Sequence, residues 1–111
     1  MSQHNDAVYV GHMLDAARKA LEFSSGKTRA DLDTDEMRAL AIDRLIHIIG
    51  EAARRMSQAY RTSHPEIPWR EIIGTRDRLI HGYDDVNHDI VWTILTMELP
   101  PLIAKLKRLA K

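Results

Sequence analysis

The stretch from Met37 to Met56 constrains this chain more than any other. Met37, Leu40, Ala41, Leu45, Ile48, Ala52 and Met56 recur at helical spacing, and Ile42, Ile46, Ile49 and Ala53 form a second stripe beside them. Together they make an apolar band wider than one neighbouring helix covers. Arg44, His47, Glu51, Arg54, Arg55 and Gln58 gather on the polar strip that is left. A helix from about Thr34 to Tyr60 is predicted, packed both on its own chain and on a second copy. Asp33 is placed to cap it, with Glu36 three residues on as the capping-box partner.

The other segments follow the same logic. Val10, Leu14, Ala17 and Leu21 predict a helix from Asp6 to Ser24, stopped by Gly26. The run Ser63 to Pro68 reads as a turn or extended link, because each proline biases its predecessor away from helix. A short helix from Trp69 to about His81 should follow, with Gly82 as its stop. Asn87 is a natural N-cap for a last helix through Ile90, Ile94, Met97 and Leu99, which Pro100 and Pro101 must kink or break. Leu102, Ile103, Leu106 and Leu109 continue the pattern behind them. No segment reads as a strand. The expectation is one all-α domain over the 111 residues.

Composition removes several functions. The chain has no cysteine, so it has neither disulfides nor thiolate metal sites. Its first residues hold an acid and two histidines where a secretory signal needs a basic flank and an apolar run. No stretch approaches the roughly 18 apolar residues of a membrane span. A cytoplasmic protein with no membrane partner is expected. His12, His47, His64 and His88 are not spaced with carboxylates as a ligand set, so no metal or other cofactor is expected. Sixteen basic residues balance sixteen acidic ones. Any contact with nucleic acid must therefore come from a local cluster of cations.

Arg76, His81 and Tyr83 bracket the end of the short third helix. Histidine changes charge near neutral pH and can move a proton. Arginine offers a permanently charged fork suited to phosphate oxygens. Those two groups suffice in kind for cleaving RNA through its 2′-hydroxyl. Five residues on an ideal helix leave side chains about 140° apart. Arg76 and His81 can meet only if the helix unwinds before Gly82 or if two subunits share the site. An arginine and a histidine at a helix end equally serve its unpaired carbonyls. Arg54 and Arg55 are further candidates for RNA phosphates, as is Arg78. Glu51 suits an ion pair or a part in positioning the site, and Asp84 and Asp85 belong to the following loop.

Three segments carry a family resemblance: IGEAARRMS from Ile49, HPEIPWREIIGTRDRLIHGYDDVNHDIVW from His64, and LPPLI from Leu99. With its arginine, four residues, histidine, one residue and tyrosine, the chain resembles the HepT-like branch of the HEPN superfamily. The resemblance implies an antiparallel bundle of four to five helices, homodimeric, acting as a metal-independent endoribonuclease. It implies the toxin of a type VII-like toxin–antitoxin pair, silenced when an MntA-like minimal nucleotidyltransferase transfers AMP to the motif tyrosine. On that basis Arg76 and His81 are catalytic and Tyr83 is the modified residue. Asp77 stands where such nucleases often carry asparagine, and supports its neighbours. The alternative from another class is a non-catalytic helical module that binds and regulates a nucleotidyltransferase.

Overall fold

The first helix, α1, spans Asp6–Ser24, as its spacing predicts. The turn behind it holds Gly26 at φ 73°, a left-handed conformation that a side chain would strain. The computed structural model describes residues 5–82 and 85–110, with His81 described by its backbone only. After α1 come a single turn, α2 (Asp31–Thr34), and the central helix α3 (Glu36–Arg54). Short helices α4 (Gln58–Ser63), α5 (Trp69–Ile73) and α6 (Thr75–Leu79) lead into an antiparallel hairpin, β1 (Ile80–Gly82) and β2 (Asp85–Val86). Helix α7 (His88–Thr93) then passes through a π-helical turn (Ile94–Glu98) into α8 (Leu99–Leu109).

Two long-range contacts show that α1 and α3 run antiparallel. Asp6, at the start of α1, accepts hydrogen bonds from the backbone N and Oγ of Ser57 just beyond α3, both at 2.8 Å. Arg38, near the start of α3, donates to the Phe23 carbonyl near the end of α1 at 2.6 Å. Small residues along this seam, Ala17, Ala20 and Ala53, are fully buried and let the helices approach closely. Ile42, Ile46 and Ile49 face the same core, which Leu95, Leu102 and Leu106 close from the other side.

Several boundaries differ from expectation, each for a local reason. Asp35, not Asp33, caps α3, accepting the backbone N of Arg38 at 3.2 Å. Asp33 sits inside α2 and is held by Arg29 at 3.0 Å and by His88 at 2.8 Å. The long helix stops at Arg54 because Ser57 caps a new one, accepting from Tyr60 N at 3.1 Å. The third helix is cut at Gly74 and ends at Leu79, not His81. Beyond it Ile80 turns extended and pairs with Val86, a short strand the sequence does not announce. Pro100 and Pro101 occupy the first turn of α8, where missing N–H groups cost little, and the widened π turn ahead of them keeps the rod continuous. The core face of that rod is Val91, Leu95, Leu99, Leu102 and Leu106. Met97, expected among the apolar set, lies about 200° from Leu95 on an ideal helix and is 70% exposed.

The apolar band of α3 is only partly covered. Ile42, Ile46, Ile49 and Ala53 are buried, whereas Met37 is 84% and Leu40 61% exposed. No helix among the described residues is long and apolar enough to cross a membrane.

Candidate active site

The position of Arg76 starts from a glycine. A methyl group at Gly50 would stand 3.3 Å from the backbone carbonyl of Ile72, so α3 and α5 touch backbone to backbone. Trp69, at the first position of α5, is buried and donates its indole N–H to the His64 carbonyl at 2.9 Å, which ties the proline-rich link to this corner. Thr75 is buried at the junction, its hydroxyl donating to the Glu71 carbonyl at 2.9 Å across the Gly74 break. The next residue, Arg76, is thereby held over the polar strip of α3.

There it lines a cavity of about 280 Å³ with Arg44, His47, Glu51 and Arg54. Three arginines face one carboxylate, a local excess of positive charge in a chain whose net charge is zero. Glu51 and Arg54 stand 3.8 Å apart in a loose, solvent-exposed pair. Among the described residues no carboxylate pairs with Arg44 or Arg76, so both guanidiniums remain available to an anion. On one wall, His47 Nε2 lies 3.8 Å from Asp43 Oδ1, and both atoms are buried without a hydrogen-bond partner. This separation is too long for a hydrogen bond. It leaves a proton-transfer group with a carboxylate behind it on the rim of the arginine cluster.

Arg78 goes elsewhere. Residues two apart on a helix point about 200° from each other. Its guanidinium meets both Glu98 oxygens, at 3.1 and 2.8 Å, over the π turn. The Glu98 carboxylate holds the Arg78 pKa above its ordinary value, chiefly through that hydrogen bonding. This pair borders an apolar groove of about 520 Å³ between Ile49, Ile72 and Leu102, away from Arg76.

Of the residues the sequence singles out, the structure brings Arg76, Glu51 and Arg54 to one cavity and Arg55 to an adjoining one. Asp77 is exposed in the first turn of α6, and Arg78 is set apart. Tyr83 and Asp84 lie outside the described residues, as does the side chain of His81. The backbone does leave the helix before His81, one of the two ways by which Arg76 and His81 can meet. Sequence reasoning placed Arg44 and His47 on the polar strip without assigning them to the site. Their spacing of three and four residues from each other and from Glu51 was the available signal. Among the described residues no three histidine, aspartate or glutamate side chains form a metal-binding group.

Residues 13–109 match the family described as Ribonuclease HepT-like. The chain is 35% identical to a protein of Caldanaerobacter subterraneus subsp. tengcongensis named "Putative RNase", over 91% of this chain and 90% of that one. It is 33% identical to the "Probable ribonuclease HepT" of Thermococcus cleftensis, over 97% of this chain and 96% of that protein. No solved structure matches the chain.

Proposed function

This chain belongs to the HepT-like ribonuclease family, and from that we propose that it is a metal-independent endoribonuclease whose reaction Arg76 and His81 carry out. The observation that carries this reading is the cavity in which Arg76 meets Arg44 and Arg54 over the polar strip of α3. An arginine cluster in which Arg44 and Arg76 have no carboxylate partner among the described residues is suited to the dianionic phosphorane that forms when a 2′-oxygen attacks phosphorus. His81 moves the proton, taking it from the 2′-hydroxyl or giving it to the leaving 5′-oxygen. The P–O2′ bond forms as the P–O5′ bond breaks, leaving a 2′,3′-cyclic phosphate and a 5′-hydroxyl. Glu51 and Asp77 support the cluster, and Arg54 and Arg55 contact neighbouring phosphates.

The working unit of this proposal is a cytoplasmic homodimer. Its support is the exposed apolar surface of Met37 and Leu40 on α3, together with the groove between Ile49, Ile72 and Leu102. The chain acts as a toxin, and its antitoxin is a minimal nucleotidyltransferase of the MntA type. In that reaction the Tyr83 hydroxyl attacks the α-phosphate of ATP, pyrophosphate leaves, and the added AMP competes with the substrate phosphate.

Purified protein incubated with a short RNA in EDTA tests the nuclease half. Products ending in a cyclic phosphate are expected, and His81→Ala should abolish them. Cleavage that stops in EDTA and returns with magnesium contradicts the mechanism. Mass spectrometry after incubation with the partner and ATP tests the other half. AMP on Tyr9 or Tyr60 with Tyr83 untouched would refute the switch.

A further inference from the structure

Next to the Arg76 cavity, on the α1 side of the same strip, lies a second one of about 220 Å³. The two share Arg44 and Glu51, so they adjoin across the polar strip of α3. The second differs in its walls. Ile48 and Ala52 make an apolar floor, Tyr9 and His12 come from α1, and Arg55 stands opposite with Arg44. The Tyr9 and His12 rings meet edge to face, centroids 6.0 Å apart and planes at 79°. Arg55, like Arg44, has no side-chain ion pair among the described residues.

An aromatic ring, an apolar floor and two unpaired arginines are the parts that hold one unstacked nucleotide, the ring for the base and the cations for its phosphate. At about 220 Å³, below the roughly 300 Å³ at which cavities for drug-sized ligands begin, the cavity suits the base alone, with sugar and phosphate along its rim. Glu51, on the wall between the cavities, adds an acceptor for base N–H groups and disfavours a second phosphate on its own side. We propose that this second cavity receives the nucleotide adjoining the scissile phosphate of a single-stranded RNA. Its base lies against Tyr9, and Arg55 and Arg44, eleven residues apart along α3, each reach a phosphate on one side of it. The inference rests on the ribonuclease reading and extends it: the substrate crosses α3 from α6 toward α1, unpaired at that position.

The test scans one abasic residue through a short single-stranded RNA and measures kcat/KM at each placement. The wild-type protein should lose roughly fivefold to a hundredfold at one position flanking the cut, the range for a single base–aromatic stack. Tyr9→Leu should show a comparable loss on intact RNA and no further loss from the abasic residue there. Arg55→Gln, an exposed substitution, should lower the slope of log kcat/KM against log salt by about 0.7, one single-strand phosphate contact. A residue with only a structural role would not move that slope. Equal abasic losses in the wild type and Tyr9→Leu would overturn the subsite. If Tyr9→Leu does not fold, an unchanged salt slope in Arg55→Gln overturns it instead. Wild-type protein that cuts RNA with no abasic penalty at any flanking position refutes the subsite alone. Protein that cuts no RNA removes the ribonuclease reading and the subsite together.

Discussion

Arg76 and Arg78 are two residues apart, of the same chemistry, and on the same helix, yet their loss should be felt in different assays. Arg76 has no carboxylate partner among the described residues and lines the cavity with Arg44 and Arg54. If it stabilises charge on phosphorus, Arg76→Ala should lower kcat by about 10²–10³, the range for removing one donor from a developing oxyanion. The melting temperature should hardly change, because an exposed cation in a cluster of like charge contributes little to folding. Arg78 is engaged by both oxygens of Glu98, with side-chain exposures of 37% and 41%. Solvent at that exposure screens the pair to about 0–1 kcal/mol, and its two-point geometry favours the upper end. Arg78→Ala should therefore lower the melting temperature by at most roughly 4–8 °C in a domain of this size, with kcat/KM within about threefold of wild type. Cleavage of a fluorophore–quencher RNA at fixed ionic strength, paired with thermal melts, reads both quantities. An Arg78→Ala protein as inactive as Arg76→Ala, at unchanged melting temperature, would refute the division of the two arginines between separate grooves.

Leu79 is fully buried at the last position of α6, and its carbonyl accepts Asn87 N–H at 2.7 Å to close the hairpin. Leu79→Ala should cost about 2–5 kcal/mol in urea denaturation, and a smaller loss would show that the core there collapses onto the gap. Ser57→Ala removes the cap of α4 and the hydroxyl half of the tie to Asp6, leaving the backbone N–H bond in place, and should cost roughly 1–2 kcal/mol by the same measurement. The Asp33 carboxyl is held below the usual carboxylate range, first by its hydrogen bond to His88 and then by Arg29. Its folded pKa being depressed, the stability it contributes is complete above the unfolded value, about pH 4, and is lost as pH falls through the folded one. Asp33→Asn should accordingly melt below wild type at about pH 6 and together with it at about pH 2, whereas a gap that persists in acid would mean the stabilisation is not ionic.

Where local chemistry decides, the sequence is a good guide. The ends of α1 and the Asn87 cap, which accepts Asp89 and Ile90 N–H at 3.0 and 3.2 Å, were legible in spacing and capping residues alone. The breaks at Arg54 and Leu79 were not, because their causes lie outside the segments that break. Apolar spacing continues through Met56, and Ser57 becomes a helix start with Asp6, 51 residues away, fastening it. The helical pattern through Ile80 gives way to pairing with Val86 across the hairpin. The site divides in the same way. The motif arginine and the polar strip of α3 were each visible, but their meeting depends on how α5 rests on α3. That tertiary contact also turns Arg44 and His47 from surface residues into cavity walls.

That contact has a further consequence. With no side chain between the backbones of α3 and α5 at Gly50, position 50 acts as a shim of zero thickness under the corner that carries Arg76. Inserting one methyl there, 3.3 Å from the Ile72 carbonyl, would lift α5 by a few tenths of an ångström. The helix preference of alanine over glycine, about 0.5–1 kcal/mol, would offset much of the crowding. A melting curve would then register almost nothing. The guanidinium, however, would travel with the corner, and reaction rates fall steeply with misalignment, about a hundredfold for 1 Å. If Arg76 acts on the scissile phosphate as proposed, position 50 is a place where that alignment can be adjusted almost independently of folding.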